Sequence, residues 1–179
     1  ADMAIWMAKW IGFEININFL SPYQSSSITE FWKRWHISLS SWLKDYLYIR
    51  WLGGNKKGKI RTKINLIITM LLGGFWHGAS WNFVTWGALY GGFQLLGLSI
   101  NRLFPSLAAD AQSGISLWMY RLWTFSLVTL AWVFFRLPHF SDIRLFFRGL
   151  SEPLGVGTLG LKPAEIGFSA ALIIGLLIY

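Results

Sequence analysis

Cysteine is absent from these 179 residues, and acids are scarce, with eight Asp and Glu against sixteen Lys and Arg. Without cysteine there is no disulfide framework, zinc-thiolate site, catalytic thiol or palmitoylated cysteine in the chain. A Gly-x-Ser-x-Gly elbow and a phosphate-binding Gly-x-x-x-x-Gly-Lys loop are missing too, since Gly53-Gly54 and Gly58-Lys59 do not meet that spacing. No clustered set of metal ligands stands out, so no metal site is expected. Polar residues are few as well: 13% are charged and 54% hydrophobic, and the mean hydropathy is +0.45. Those values lie outside the norm for a water-soluble domain.

What is present is aromatic and basic. Trp 12, Phe 14 and Tyr 6 make 18% of the chain, and Trp and Tyr gather where a bilayer meets water. The formal charge of +8 could indicate nucleic acid, but the cations sit between apolar segments, a pattern that membrane topology explains better. Lipid is therefore an expected partner and nucleic acid is not. The chain opens at Ala1 with no charged-then-apolar leader and closes inside the apolar run 170–179, so we expect a longer protein at both ends.

These properties predict an all-α, multi-pass transmembrane protein with a horizontal amphipathic helix and a re-entrant bend. Residues 1–179 read as a fragment of one membrane domain. Residues 1–20 suggest the end of a preceding membrane helix and a boundary loop. Ser27-Ile-Thr-Glu30 matches a capping box. Phe31, Trp35, Leu39, Trp42 and Tyr46 then recur at helical spacing, with Lys33, Arg34, Ser38, Ser41, Lys44 and Asp45 largely on other faces. An amphipathic helix is predicted within 20–50, too charged to span and suited to the membrane interface.

Residues 51–63 form a basic loop. Seven cations lie between Lys44 and Lys63, and no acid follows Asp45 until Asp110, so the positive-inside rule places this loop in the cytoplasm. Residues 64–100 contain no Lys, Arg, Asp or Glu. As one helix they would reach about 55 Å, against a hydrocarbon core of roughly 30 Å, so a break is expected near Gly73-Gly74 or Gly91-Gly92. A polar loop over 101–116 precedes a span over 117–137. Its basic flank (Arg136, His139, Arg144, Arg148) again reads as cytoplasmic. A loop over 151–167 leads into a further apolar segment, 167–179.

His77 is the only group in 64–100 that titrates near neutral pH. An intramembrane ionisable residue is a functional candidate by default. Apolar surroundings favour its neutral, basic form. Trp76 could exclude water, and Ser80 and Asn82 could bond the second ring nitrogen or a polar substrate. His77 could instead only link helices through hydrogen bonds, or relay protons in a transporter. His36, among Trp32, Trp35 and Ser40, could assist a base, bind a polar head group or simply occupy the interface. His139 reads as exposed.

Two blocks occur together: Ser27-Ile-Thr-Glu-Phe-Trp-Lys-Arg-Trp-His-Ile-Ser-Leu-Ser-Ser-Trp-Leu-Lys-Asp-Tyr-Leu-Tyr-Ile49 and Leu71-Leu-Gly-Gly-Phe-Trp-His-Gly-Ala-Ser-Trp-Asn-Phe-Val-Thr-Trp-Gly87. Together they resemble the membrane-bound O-acyltransferase (MBOAT) family, in its bacterial branch concerned with alginate O-acetylation and teichoic acid D-alanylation. The match covers roughly residues 20–100, and Gly53-Gly-Asn-Lys-Lys-Gly58 resembles that branch's glycine-basic loop. Arg50-Trp51 departs from the shorter, often Pro-containing link expected there. The resemblance implies that His77 is the family's essential histidine and His36 its second characteristic one. It also implies an inner-membrane helical fold with a funnel and no tightly bound cofactor. An acyl thioester (acetyl-coenzyme A or an acyl carrier) would be the cytoplasmic donor, an extracytoplasmic polysaccharide the acceptor, and periplasmic acetylation proteins the partners. His77 would act as general base. Trp32, Arg34, Trp35, Trp76, Ser80 and Asn82 would contact substrate. A non-catalytic scaffold for a periplasmic acetyltransferase is the other reading.

Overall fold

The computed structural model describes residues 2–104, 114–137 and 139–151. Every regular element among them is helical: α1 (Asp2–Trp10), α2 (Ile28–Arg34), α3 (Ile37–Trp42), α4 (Lys59–Phe75), α5 (Trp81–Leu103), α6 (Gly114–Arg136) and α7 (Phe140–Ser151). A short 3-10 turn covers Pro22–Gln24, and a π-helical stretch, Leu43–Trp51, continues α3. Beyond Ser151, which ends α7 where a loop over 151–167 was expected, the rest of that loop and the segment 167–179 lie outside the described residues, as do positions 1, 105–113 and 138.

The start of α2 follows from local chemistry. The Ser27 hydroxyl accepts the Glu30 backbone N–H at 3.1 Å. The Glu30 carboxylate reaches back to the Ser26 N–H at 2.8 Å, one residue earlier than in the simplest capping box. The single amphipathic helix expected here is broken, however. Trp35 is extended and His36 is left-handed (φ 44°, ψ 57°). Asn18, from the extended segment before α2, satisfies the break: its carbonyl accepts from Ile37 N–H at 3.0 Å and its Oδ1 from Ser38 N–H at 2.9 Å. The bend divides the aromatic stripe. Phe31 is 1% exposed, whereas Trp42 and Tyr46, beyond the bend, are about half exposed and stack on each other.

The break in the 64–100 segment also falls elsewhere than expected. Helix α4 runs through Gly73-Gly74, α5 runs through Gly91-Gly92, and the chain reverses at Trp76–Ser80. The glycines serve packing instead. A Cβ on Gly74 would collide with the Phe83 carbonyl, and one on Gly87 with the Met70 carbonyl. Hence α4 and α5 touch backbone to backbone as an antiparallel hairpin, as small residues permit in membrane helices. Asn65, fully buried on α4, donates from Nδ2 to the carbonyls of Leu52 (3.0 Å) and Gly54 (2.9 Å), holding the basic loop on the start of that helix.

Helix α6 packs antiparallel on α5, joined where Asn82 Nδ2 donates to the Leu137 carbonyl. Helices α5 and α6 have 23 residues each and are long and apolar enough to cross a membrane; each reaches about 34 Å. The core they share with α2 is half aromatic: Ile28, Phe31, Trp86, Tyr90, Val128 and Ala131.

Candidate functional site

His77 sits at the reversal between α4 and α5. Its N–H donates to the Gly74 carbonyl at 3.0 Å, and Gly78 follows with φ 148°, where a Cβ would press on the Phe83 ring. A tight turn of this kind presents the imidazole to the core, edge-on to Trp86 (5.2 Å between ring centroids) and to Phe135 (5.0 Å), with Phe83 at 6.1 Å.

Two cavities meet there. The first, about 470 Å³, follows the groove of the α4–α5 hairpin from Gln94 past Tyr90 and Gly87 to His77, and its other wall includes Lys33, Ser40, Lys44 and Tyr48. The second, about 430 Å³, is an aromatic chamber bounded by Tyr23, Trp35, His36, Trp132 and Phe135. Trp32, Leu39, His77 and Trp86 line both and form the partition. The two imidazoles are within electrostatic reach of each other. Among the described residues His36 Nδ1 is buried without a hydrogen-bond partner, an orphan that folded proteins seldom leave unexplained. A base between a cation-lined cavity and an aromatic one has space for a different group on each side.

The structure thus gathers His77, His36, Trp32 and Trp35 around these cavities. It does not bring the other expected residues to them. Arg34 pairs with Glu30 at 2.7 Å. Trp76 is 63% exposed and lines neither cavity, although its ring meets the imidazole edge-on at 5.0 Å; on the buried side the rings against His77 are Trp86 and Phe135. Ser80 is the N-cap of α5, accepting from the Asn82 N–H, and the Asn82 amide is committed to Leu137. The role of Asn82 was not identifiable without its partner, because Leu137 is 55 residues away, whereas the cap at Ser80 is a local contact with the next turn. Conversely, Trp86, Tyr90, Trp132 and Phe135 escaped the sequence reading. Aromatic residues abound here, and the one-face spacings of Trp86 with Tyr90 and of Trp132 with Phe135 did not distinguish them from the rest. Among the described residues no three His, Asp or Glu stand close enough to hold a metal ion.

The membrane-bound O-acyltransferase family profile matches residues 3–137. The chain is 51% identical over 136 residues to the protein named "Probable alginate O-acetylase AlgI" of Azotobacter vinelandii, covering 76% of this chain and 26% of that one. It is 40% identical over 161 residues to the peptidoglycan O-acetyltransferase of Helicobacter pylori, covering 90% and 30%. With the teichoic acid D-alanyltransferase of Streptococcus thermophilus it shares 38% over 104 residues, covering 55% and 24%. The chain therefore spans between about a quarter and a third of the length of these relatives. With the profile covering most of the described residues and both histidine blocks inside it, the chain belongs to the membrane-bound O-acyltransferase family.

Proposed function

We propose that this protein is a multi-pass O-acyltransferase of the bacterial inner membrane. It moves an acetyl group from a cytoplasmic thioester, either acetyl-coenzyme A or an acyl carrier, to hydroxyls of an extracytoplasmic polysaccharide such as alginate. The observation that carries this reading is the position of His77, at the partition between two cavities of different character. Relatives named for alginate, peptidoglycan and teichoic acid support a polymeric acceptor outside the cell.

The donor enters the first cavity. Lys33 and Lys44 on its wall attract an anionic carrier group, and the basic loop adds long-range steering. The acceptor hydroxyl, or that of a relay partner, approaches through the aromatic chamber. His77 takes the hydroxyl proton as the oxygen attacks the thioester carbonyl. The C=O electron pair moves onto oxygen, the tetrahedral intermediate collapses with cleavage of C–S, and the imidazolium returns the proton to the departing thiolate. The products are an ester and a free thiol. His36, on the far chamber, orients the incoming hydroxyl. Periplasmic acetylation proteins complete delivery to the polymer.

The test is His77→Ala in the full-length protein, with polymer O-acetylation scored alongside membrane abundance. General-base assistance is typically about 10² to 10⁴-fold, so acetylation should fall at least about 10²-fold at equal abundance. Acetylation at the parental level would overturn the assignment. Donor-dependent ester formation by purified protein separates transfer from proton or solute movement, which needs no acyl donor.

A further inference from the structure

The partition between the cavities carries hydrogen-bond donors that find no acceptor among the described residues. Trp86 is 3% exposed and Tyr90 fully buried, and the indole N–H groups of Trp86 and Trp32 and the Tyr90 hydroxyl are shielded from solvent without a partner among the described residues. The three rings form one edge-to-face cluster, with centroids 5.7 Å (Trp32 to Trp86), 5.1 Å (Trp32 to Tyr90) and 5.0 Å (Trp86 to Tyr90) apart. Buried Trp and Tyr ordinarily place their polar atom against an acceptor. An orphaned one keeps its desolvation penalty with nothing to offset it, and here three stand in one cluster. The indole N–H can only donate. Whatever completes the cluster must therefore supply oxygen acceptors. Of the three, Trp86 and Trp32 line both cavities beside His77, and the Trp86 ring lies 5.2 Å from the imidazole.

We propose that the Trp86 indole N–H, seconded by that of Trp32, binds the carbonyl oxygen of the acyl donor and stabilises the oxyanion formed as the acceptor hydroxyl attacks. This rests on the acyl-transfer reading above and assigns the group that holds the developing charge. Both indole N–H groups are shielded as they stand, so this binding requires the rings to turn their N–H edge toward the cavity as the donor enters. A neutral donor beside His77 has a chemical advantage over a cation: it stabilises the oxyanion without repelling the imidazolium that forms in the same step. Tyr90, deeper along the first cavity, offers its hydroxyl to a polar atom further along the donor.

The experiment replaces Trp86 in the full-length protein with β-(3-benzothienyl)alanine, which keeps the shape of the indole but has sulfur where the N–H was. Loss of one oxyanion donor typically lowers kcat by about 10² to 10³-fold. We expect a kcat loss in that range, with the KM for the acyl donor within about threefold and the melting midpoint in detergent unchanged. A loss confined to kcat marks an interaction made in the transition state. The same exchange at Trp32 should act in the same direction. At Trp118, half-exposed on α6 outside both cavities, it should do nothing. Parental kcat in a folded Trp86 analogue overturns the proposal, as does a change confined to KM. If His77→Ala abolishes transfer while the Trp86 analogue is fully active, only the oxyanion assignment fails. If both variants transfer normally, the acyl-transfer chemistry assigned to His77 fails with it.

Discussion

Gly87 shows how little space the hairpin leaves at single positions. A methyl group there would meet the Met70 carbonyl, which belongs to the α4 backbone and cannot swing aside as a side chain would. Gly87→Ala should separate the helices and cost about 1–3 kcal/mol, the usual range for overpacking. The check is a lower melting midpoint in detergent, and an unchanged midpoint would show that the backbones are not in contact. Gly92 is the natural control on the same helix, because a methyl group there would meet nothing within 4 Å. His36 is a second singular residue. It occupies the left-handed region, where His is more often found than most non-glycine residues, and such strain tends to collect at functional sites. Its backbone conformation is what turns the chain so that its ring lines the aromatic chamber while Trp32, one helical turn earlier, lines both cavities.

At the level of elements, the start of α2 is an electrostatic device. Partial burial alone would raise the Glu30 carboxyl, but bonds from the Ser26 N–H and hydroxyl, together with the Arg34 guanidinium, outweigh it and hold the group below the usual carboxylate range. A depressed folded value contributes stability that is fully present above the unfolded value, about 4.3 for Glu, and is lost as pH falls through the folded value. Acidification below about pH 4 should therefore loosen the start of α2, and with it Ile28 and Phe31 in the core. Glu30→Gln should flatten that acid limb of a melting-versus-pH curve. An unaltered limb in the variant would place the acid sensitivity elsewhere. The π-helical stretch Leu43–Trp51 is a different kind of element. Its wider turn lets the Gly54 N–H reach the Tyr48 carbonyl at 2.7 Å, closing the chain back toward α4.

At the scale of the molecule, antiparallel packing sets the two basic clusters apart. The basic loop adjoins the start of α4 and thus the Leu103 end of α5, whereas Asn82 and Leu137 bring the Arg136 end of α6 to the opposite end of α5. Across a helix of about 34 Å, the clusters around Lys57 and Arg144 fall on opposite faces of the bilayer if α5 and α6 both cross. The two cytoplasmic assignments made from charge alone are then incompatible. Exposed Trp51 near one end of the hairpin and Trp76 and Trp81 at the other resemble the aromatic belts of membrane proteins. These residues contain no cysteine, so Lys57→Cys and Arg144→Cys can be labelled singly in a full-length protein from which any cysteine outside them has been replaced. A membrane-impermeant maleimide on intact cells should reach Arg144→Cys and leave Lys57→Cys unlabelled until the cells are opened. Labelling of both from outside would rule out the two-span arrangement.

By itself the sequence determined the helical class, the cap at Ser27, the apolar stretch containing His77 and the pair of histidine blocks, because each is written in periodicity, hydropathy or contiguous residues. The places where helices stop were not legible. Asn18 holds the bend at His36 from outside the helix, and the reversal at 76–80 falls after the glycines because close packing of α4 on α5 uses them as contact surface. The tertiary structure alone decided that Asn82 ties α5 to α6, that Trp86 stands between two cavities, and that the basic clusters lie apart. Those outcomes depend on contacts between residues distant in the chain, and local composition says nothing about which distant group will arrive.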